Sequence, residues 1–270
     1  MNGQIEDINV SDLRKMLRSR PAGGHKGTFG HALLVAGSQG MAGAAILSAE
    51  ACLRSGIGKL SIQTVEANRV ILQISVPEAI LKMDADFGHT YDAVGVGPGL
   101  GRDFALLHAC LHEIEAPAVY DADALNMLAE RREWQADVPA NSILTPHPLE
   151  AERLTGSREL GCVSAYAQEQ GVIVVLKGHP THVCLPTGSV FRLAVGNNGM
   201  GTAGSGDVLT GIITGLLAQG HAPHEAALLG VWLHGTAGDY AARELTEHCM
   251  LARDIIRHLP DAFRALNTED

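Results

Sequence analysis

Residues 197–211 read NNGMGTAGSGDVLTG, and bring Gly199, Gly201, Gly204 and Gly206 up to one carboxylate, Asp207, where an apolar run begins. Glycines at this spacing let successive backbone N–H groups turn inward as an anion-binding nest, and a helix that follows adds its positive end. A phosphate fits such a place, although a tight glycine connection without a ligand would read the same way. Asp207 has two readings as well. It is either an ordinary first-turn acid that compensates the helix dipole, worth about 0.3–1 kcal/mol, or a general base for a hydroxyl that attacks a phosphoryl group. The stretch Gly199–Gly204 matches G-x-G-x-x-G, but the next element reads as another helix, not the strand that a dinucleotide-binding unit requires. No G-x-x-x-x-G-K-[ST] occurs.

Two further stretches carry chemistry. VLKGHPTHV (175–183) puts Lys177 at a strand end before Gly178, where an ammonium can reach a nucleotide phosphate; "KG" is also a common hairpin connection. TPHPLE (145–150) locks His147 between two prolines, which fix the backbone and aim the imidazole. Glu150 follows three residues on, either as a first-turn helix acid or as a holder of a magnesium-bound water. A zinc site is not expected, because no third ligand stands nearby.

These residues need a scaffold, and the hydrophobic pattern supplies one. Strands are expected at 31–38, 59–65, 91–99, 116–123 and 141–148, with three short ones over 171–195. Helices are expected near 11–18, at 43–56 and 103–114, after 123, and at 206–219, 223–243 and 250–265. Strand–helix alternation of this kind predicts an α/β fold with a mainly parallel sheet and helices on both faces. The strand–strand stretch adds an antiparallel edge. Ligands on such sheets bind beyond the carboxyl ends of the strands, where Gly37, Gly97, Asp121, Asp123, His147 and Lys177 fall. No linker or repeat interrupts the chain, so residues 1–270 are expected to form one domain, with 1–22 as a lead-in.

Composition narrows the function. With 270 residues, 46% hydrophobic and 19% charged, the chain can build a large core. A net charge of −10 without a basic run excludes a nucleic-acid role, and no apolar run reaches the ~18 residues of a membrane span. Five scattered cysteines read as reduced thiols. The N-terminal stretch lacks the apolar core of a secretory leader, and a cytoplasmic location is expected.

Six blocks then stand together: GHKGTFGHALLVAGSQGMAGAAILSAEACLRSGIG, VGPGLG, YDADALNML, TPHPLEAERLTG, VLKG and NNGMGTAGSGDVLTGIITGLLAQG. In order and spacing they resemble the ADP/ATP-dependent NAD(P)H-hydrate dehydratases of the ribokinase-like superfamily, from about residue 23 to 258. That resemblance implies a lyase that repairs hydrated NADH or NADPH. The 6-hydroxyl is phosphorylated by ADP (or ATP) with Mg2+, and phosphate is then eliminated, giving NAD(P)H and AMP when ADP is used. It implies Asp207 as catalytic base and the N–H groups of Ala203, Gly204, Ser205 and Gly206 as an anion hole. Lys177, Gly178, His179, Pro180, Thr181 and Gly206 would bind the adenine nucleotide. Ala44, Gly101, His147 and Asp207 would line the hydrated-nicotinamide site, and Glu150 would lie near the magnesium. The helix dipole is expected to keep Asp207 ionised. The family usually reads HPGE where this chain has HPLE, which predicts that Leu149 narrows the site. No epimerase domain is expected, and the apolar helix near 222–243 offers a surface for a homotetramer. The alternative is a small-molecule kinase of the same superfamily, acting on hydroxyethylthiazole or hydroxymethylpyrimidine.

Overall fold

A computed structural model of the protein describes residues 5–84, 87 and 90–268. Its first half alternates strands and helices. β1 (Ile5–Asp7) and α1 (Val10–Met16) are followed by β2 (His31–Val35), α2 (Ala42–Arg54), β3 (Lys59–Gln63), α3 (Arg69–Ser75) and β4 (Ile80–Lys82). Then come β5 (Ala93–Val96), α4 (Phe104–Glu113), β6 (Ala118–Tyr120), α5 (Asp123–Glu130) and β7 (Ile143–Leu144). The second half runs α6 (Pro148–Thr155), α7 (Leu160–Gln170), β8 (Ile173–Leu176), β9 (Thr181–Cys184) and β10 (Val190–Leu193), and closes with α8 (Ser205–Ala218), α9 (Pro223–Leu245) and α10 (Ala252–Asn267).

The strands form one sheet in the order β1-β10-β9-β8-β7-β6-β5-β2-β3-β4. Only β9 among the described strands runs against its neighbours. The antiparallel strand is therefore not an edge, as the pattern predicts, but an interior one. Beyond it β10 resumes the common direction, and β1 pairs parallel with β10 to form the edge itself. The supposed lead-in is thus part of the fold: Leu13 of α1 is fully buried, and the Arg14 side chain donates to the Leu266 carbonyl at the other end of the chain.

Strand interiors such as HALLV, AVGV and IVVL are almost wholly buried, as a parallel sheet covered on both faces demands. Alternate residues feed two cores. Leu34, Ile62 and Val175 pack with Ile212, Leu216 and Leu229 from α8 and α9, whereas Leu33, Val35 and Val94 pack with Leu107, Leu125, Leu128 and Val163 from α4, α5 and α7. The apolar face of α9 is consumed here. Ala226 to Leu229, Leu233, Ala237 and Ala241 are all buried within the chain, so this helix does not offer the expected oligomer surface. The exposed large apolar side chains include Val70 and Ile74 on α3 and Ile80 on β4.

The element that positions the chemistry is α8. A Cβ at Gly211 would lie 2.1 Å from the Ser48 carbonyl of α2, and one at Gly215 would lie 2.8 Å from that of Cys52. These two glycines bring the backbones of α2 and α8 together. A Cβ at Gly95 of β5 would in turn meet the Thr214 hydroxyl at 2.5 Å. Clamped between helix and sheet, α8 has its N-terminus fixed near the carboxyl ends of the central strands.

Candidate active site

A cavity of about 550 Å3 opens at that N-terminus, lined by Asp121 at the end of β6, His147 at the end of β7, Lys177 at the end of β8, and Asp207 in the first turn of α8. The loop before α8 is ordered in advance. Asp239 of α9 accepts from the Gly196 N–H and the Asn197 side chain, and Asn197 Oδ1 accepts from the Gly199 N–H. Gly204 caps α8 at φ 90°, where a Cβ would also collide with Leu47 at 2.3 Å. The Ser205 N–H is 3.3 Å from the Thr202 carbonyl, which removes it from the expected set of anion donors. First-turn N–H groups lack intrahelical acceptors, so Gly206 and Asp207 add two candidate donors, next to the expected Ala203 and Gly204.

His234 secures this turn. The Ser205 carbonyl can only accept, so the contact of His234 Nε2 at 2.9 Å assigns the proton to Nε2. Burial pushes this imidazole down to about 4, outweighing the Ser205 carbonyl, and Lys177 pushes it the same way. The ring is neutral at pH 7. Nothing in the glycine motif points to His234 or Asp239. The signal lies in α9, where a histidine interrupts an otherwise apolar buried stripe and so demands a partner.

Asp121 is the second group that motif reading leaves without a role. Its side chain is 1% exposed and accepts from Lys177 Nζ at 2.8 Å and from the Thr210 hydroxyl at 2.7 Å, one turn into α8. Lys177 also lies 3.7 Å from Glu150 Oε2. Burial pushes the Lys177 ammonium down, but Asp121, Glu150 and Asp207 outweigh it and leave it raised. Lys177 is therefore a fully charged cation held among carboxylates rather than a mobile arm. A Cβ at Gly206 would stand 3.2 Å from its Nζ, so the glycine there leaves room for the ammonium.

Asp207 differs from expectation. Burial, Asp121, Asp123 and Glu150 raise its carboxyl to about 7, against Lys177, which acts the other way. A helix end contributes up to about 2 kcal/mol in a partly buried site, less than the roughly 4 kcal/mol that a rise from 3.8 to about 7 represents, so it loses to burial beside three other acids. The result is a carboxylate whose affinity for a proton matches neutral pH, which suits a general base better than a permanently ionised one.

His147 is held by its own helix. Its Nδ1 accepts from the Leu149 and Glu150 N–H groups, and the Glu150 carboxylate accepts from the His147 N–H at 2.8 Å, a reciprocal cap at the start of α6. The imidazole proton must then be on Nε2. Leu149 is 51% exposed and does not line the cavity, so it does not narrow the site as HPLE predicts. Gly178, His179 and Thr181 line the same cavity as Lys177, while Pro180 and Ala203 fall just outside its walls. Ala44 is buried in the first turn of α2, and Gly101 lines two neighbouring cavities. The geometry thus gathers the expected nucleotide and base residues, and leaves Ala44 and Gly101 to one side.

Between the two acids of the β6–α5 turn stands Ala122, at φ 50° and ψ −117°. Non-glycine residues in such a conformation cost of order 1–3 kcal/mol and collect at functional sites. This turn sends Asp121 to Lys177 and Asp123 to the Gly101 N–H, at 2.8 Å.

Among the described residues, no group of three or more His, Cys, Asp and Glu side chains is arranged to hold a metal ion by itself. Charge nevertheless favours a divalent cation here. One ammonium faces Asp121, Glu150 and Asp207, and a bound polyphosphate would add more negative charge. Magnesium commonly binds through one or two carboxylates together with substrate phosphates, a donor set that this site can supply.

The NAD(P)H-hydrate dehydratase family profile matches residues 32–261. The chain belongs to this family. The ADP-dependent (S)-NAD(P)H-hydrate dehydratase of Bacillus subtilis is 35% identical over 93% of this chain and 95% of its own length. The bifunctional NAD(P)H-hydrate repair enzyme of Moorella thermoacetica is 40% identical over 97% of this chain. The chain spans about half the length of such bifunctional relatives, 54% in that case. The crystal structure of the ADP/ATP-dependent NAD(P)H-hydrate dehydratase from B. subtilis, co-crystallized with ATP/Mg2+, superposes with a TM-score of 0.86 at 33% identity, covering 97% of this chain and 99% of that one. A ribokinase-like superfamily protein from Enterococcus faecalis superposes at 0.87 with 29% identity, covering 97% and 96%. The fold of this family member is accordingly ribokinase-like.

Proposed function

We propose that this chain is an ADP-dependent (S)-NAD(P)H-hydrate dehydratase, using magnesium and giving NAD(P)H, AMP and phosphate. The observation that carries the reading is Asp207, a carboxylate with the proton affinity of neutral pH, set in the first turn of α8 beside the N–H donors of that turn. The substrate hydroxyl loses its proton to Asp207 as its oxygen attacks the terminal phosphoryl group. The N–H groups of Gly206 and Asp207 take up the charge that develops on the phosphoryl oxygens, in a place already ordered by Asp239, Asn197 and His234. In the second half of the reaction, the C–O bond breaks with its electron pair leaving on phosphate, and the neighbouring ring carbon gives its proton to the departing phosphate as the double bond is restored. Lys177, pinned by Asp121 and Glu150, holds the nucleotide phosphates, with Gly178, His179, Pro180 and Thr181 along the nucleoside. His147, whose Nε2 lies 3.5 Å from Glu150 Oε1, borders the hydrated ring, which extends from the main cavity toward Ala44 and Gly101. Magnesium would supply charge neutralisation on the phosphates, and Glu150 and Asp121 would hold it through its waters.

Support for ADP is that the relatives from B. subtilis, Neisseria meningitidis and Lactococcus lactis are named ADP-dependent, while the B. subtilis crystal structure, of an ADP/ATP-dependent enzyme, keeps ATP as the competing nucleotide. All five cysteines are free, which supports a cytoplasmic location, and no described helix is long and apolar enough to cross a membrane. The kinase alternative is the weaker reading, because the family match is to the dehydratases and spans most of the chain.

The test mixes the protein with (S)-hydrated NADPH, magnesium and either nucleotide. It follows the return of NADPH absorbance and identifies the adenine product. AMP formed in step with NADPH is the expected result. Turnover of the hydrate with neither nucleotide would overturn the dehydratase reading, and about tenfold greater kcat/KM with ATP would overturn the choice of ADP.

A further inference from the structure

A second cavity, of about 570 Å3, lies behind the Asp121–Ala122–Asp123 turn and is walled by Arg102 at the entry to α4, Asn126 and Glu130 on α5, and Arg153 on α6. Two guanidinium groups face one hollow here. Arg102 is held bidentately by Glu130, and Arg153 donates to Asn126 Oδ1 at 2.9 Å. The cavity is tied to the active site from both sides. α6 carries His147 and Glu150 at its start and Arg153 one turn later, and Asp123 reaches from the cavity wall far enough to raise the Asp207 carboxyl.

Size makes this hollow matter. The main cavity, about 550 Å3, must take an adenine nucleotide together with the reacting ring. A single ligand of drug size occupies a pocket of roughly 300–1,000 Å3, so the rest of a dinucleotide has to leave the main cavity. Arginine pairs are suited to receive the part that leaves, because their planar forks match phosphate oxygens.

We infer that Arg102 and Arg153 form a docking site for the phosphates of the substrate's far half, beyond the nicotinamide ribose phosphate. Glu130 serves as the place-holder that such a phosphate displaces from Arg102. The inference rests on the dehydratase reading for its substrate and adds the two residues that distinguish a whole dinucleotide from its nicotinamide half.

The experiment compares wild type with the double variant Arg102→Gln, Arg153→Gln on three hydrates: those of NADPH, NADH and reduced nicotinamide mononucleotide. The expected result is that kcat/KM for the dinucleotide hydrates, relative to the mononucleotide hydrate, falls about tenfold or more, the scale of lost charged hydrogen bonds. Loss confined to NADPH hydrate assigns the site to the ribose 2′-phosphate, and equal loss with NADPH and NADH hydrates assigns it to the pyrophosphate. An unchanged ratio overturns the inference. Glu130→Gln, which frees Arg102, is expected to lower KM for the dinucleotide hydrates, and a raised KM counts against the place-holder. Equilibrium titration with NADPH, read by its nicotinamide fluorescence, repeats the comparison without turnover. If wild type turns over no hydrate, the dehydratase reading fails, while weaker NADPH binding by the double variant still supports the site and unchanged binding still overturns it.

Discussion

At the scale of single residues, Asp207 carries the sharpest expectations. Asp207→Asn keeps shape and hydrogen-bonding capacity but removes basicity, and loss of a general base costs about 10²–10⁴ in rate. Turnover of the hydrate is expected to fall at least about a hundredfold, and a variant keeping more than about a tenth of wild-type turnover returns Asp207 to a helix-start acid. In wild type, kcat/KM is expected to rise with pH up to an inflection near the Asp207 value of about 7. The same shift bears on stability, with a definite sign. The carboxyl binds its proton more tightly in the folded chain than the ordinary value of about 3.9 allows, so the contribution of Asp207 to stability is fully present below about pH 4 and is lost as pH rises through about 7. Asp207→Asn is expected to be the more stable protein at pH 8 in urea denaturation, with the advantage gone by about pH 4. An equal or lower midpoint at pH 8 would mean that the carboxylate is well solvated or well paired after all. From sequence, the position and role of Asp207 are legible because glycine spacing and a helix start are local patterns. Its protonation is not, because it depends on Asp121, Asp123 and Glu150, which come from other crossovers.

At the scale of elements, the contact between α2 and α8 decides whether the site exists. Alanine is the better helix former by about 1 kcal/mol, so Gly211→Ala would stabilise an isolated α8. In the fold its Cβ meets the Ser48 carbonyl at 2.1 Å, a backbone atom that cannot swing away. The clash outweighs the propensity, and Gly211→Ala is expected to lose about 1–3 kcal/mol in denaturant unfolding. Activity should fall with it as the first turn shifts from the strand ends. An unchanged midpoint would show that the helices can part without cost. Hydrophobic periodicity makes most elements legible, including α2, α8, α9 and the central strands. It passes over β1, α3, β4, α6 and α7 for separate reasons, α6 because its eight residues start at Pro148, where the prolines read as the stop of a strand. β1 and β4 are three-residue strands, and β1 is exposed on both faces, so no alternation marks it. α3 is seven residues long with Val70, Ile71 and Ile74 exposed, which reverses the amphipathic rule. α7 buries a narrow face that includes Ser164.

For the whole molecule, the expected tetramer needs a different face from the one that the sequence offers. The apolar stripe of α9 is spent on the chain's own core, whereas Val70, Ile74 and Ile80 expose apolar surface at the β4 edge of the sheet. Light scattering is expected to give four times the 28.5 kDa chain mass, and Ile74→Lys to lower it. A chain that scatters as a monomer would remove the tetramer. The layered architecture is legible in the alternation of strand and helix. The sheet edge is not, because β1 pairs with β10 from 185 residues away in the chain, Ile5 with Val190. One further consequence follows from where the site takes its parts. Asp121, His147 and Lys177 each stand at the end of a different strand, and Asp207 opens a helix that follows none of them directly. Each participant is therefore encoded in its own stretch of gene, although Asp121, Lys177 and Asp207 are tied to one another by charge. A new acceptor for the phosphoryl group could be reached by editing a single strand end while the machinery that handles phosphate is inherited intact.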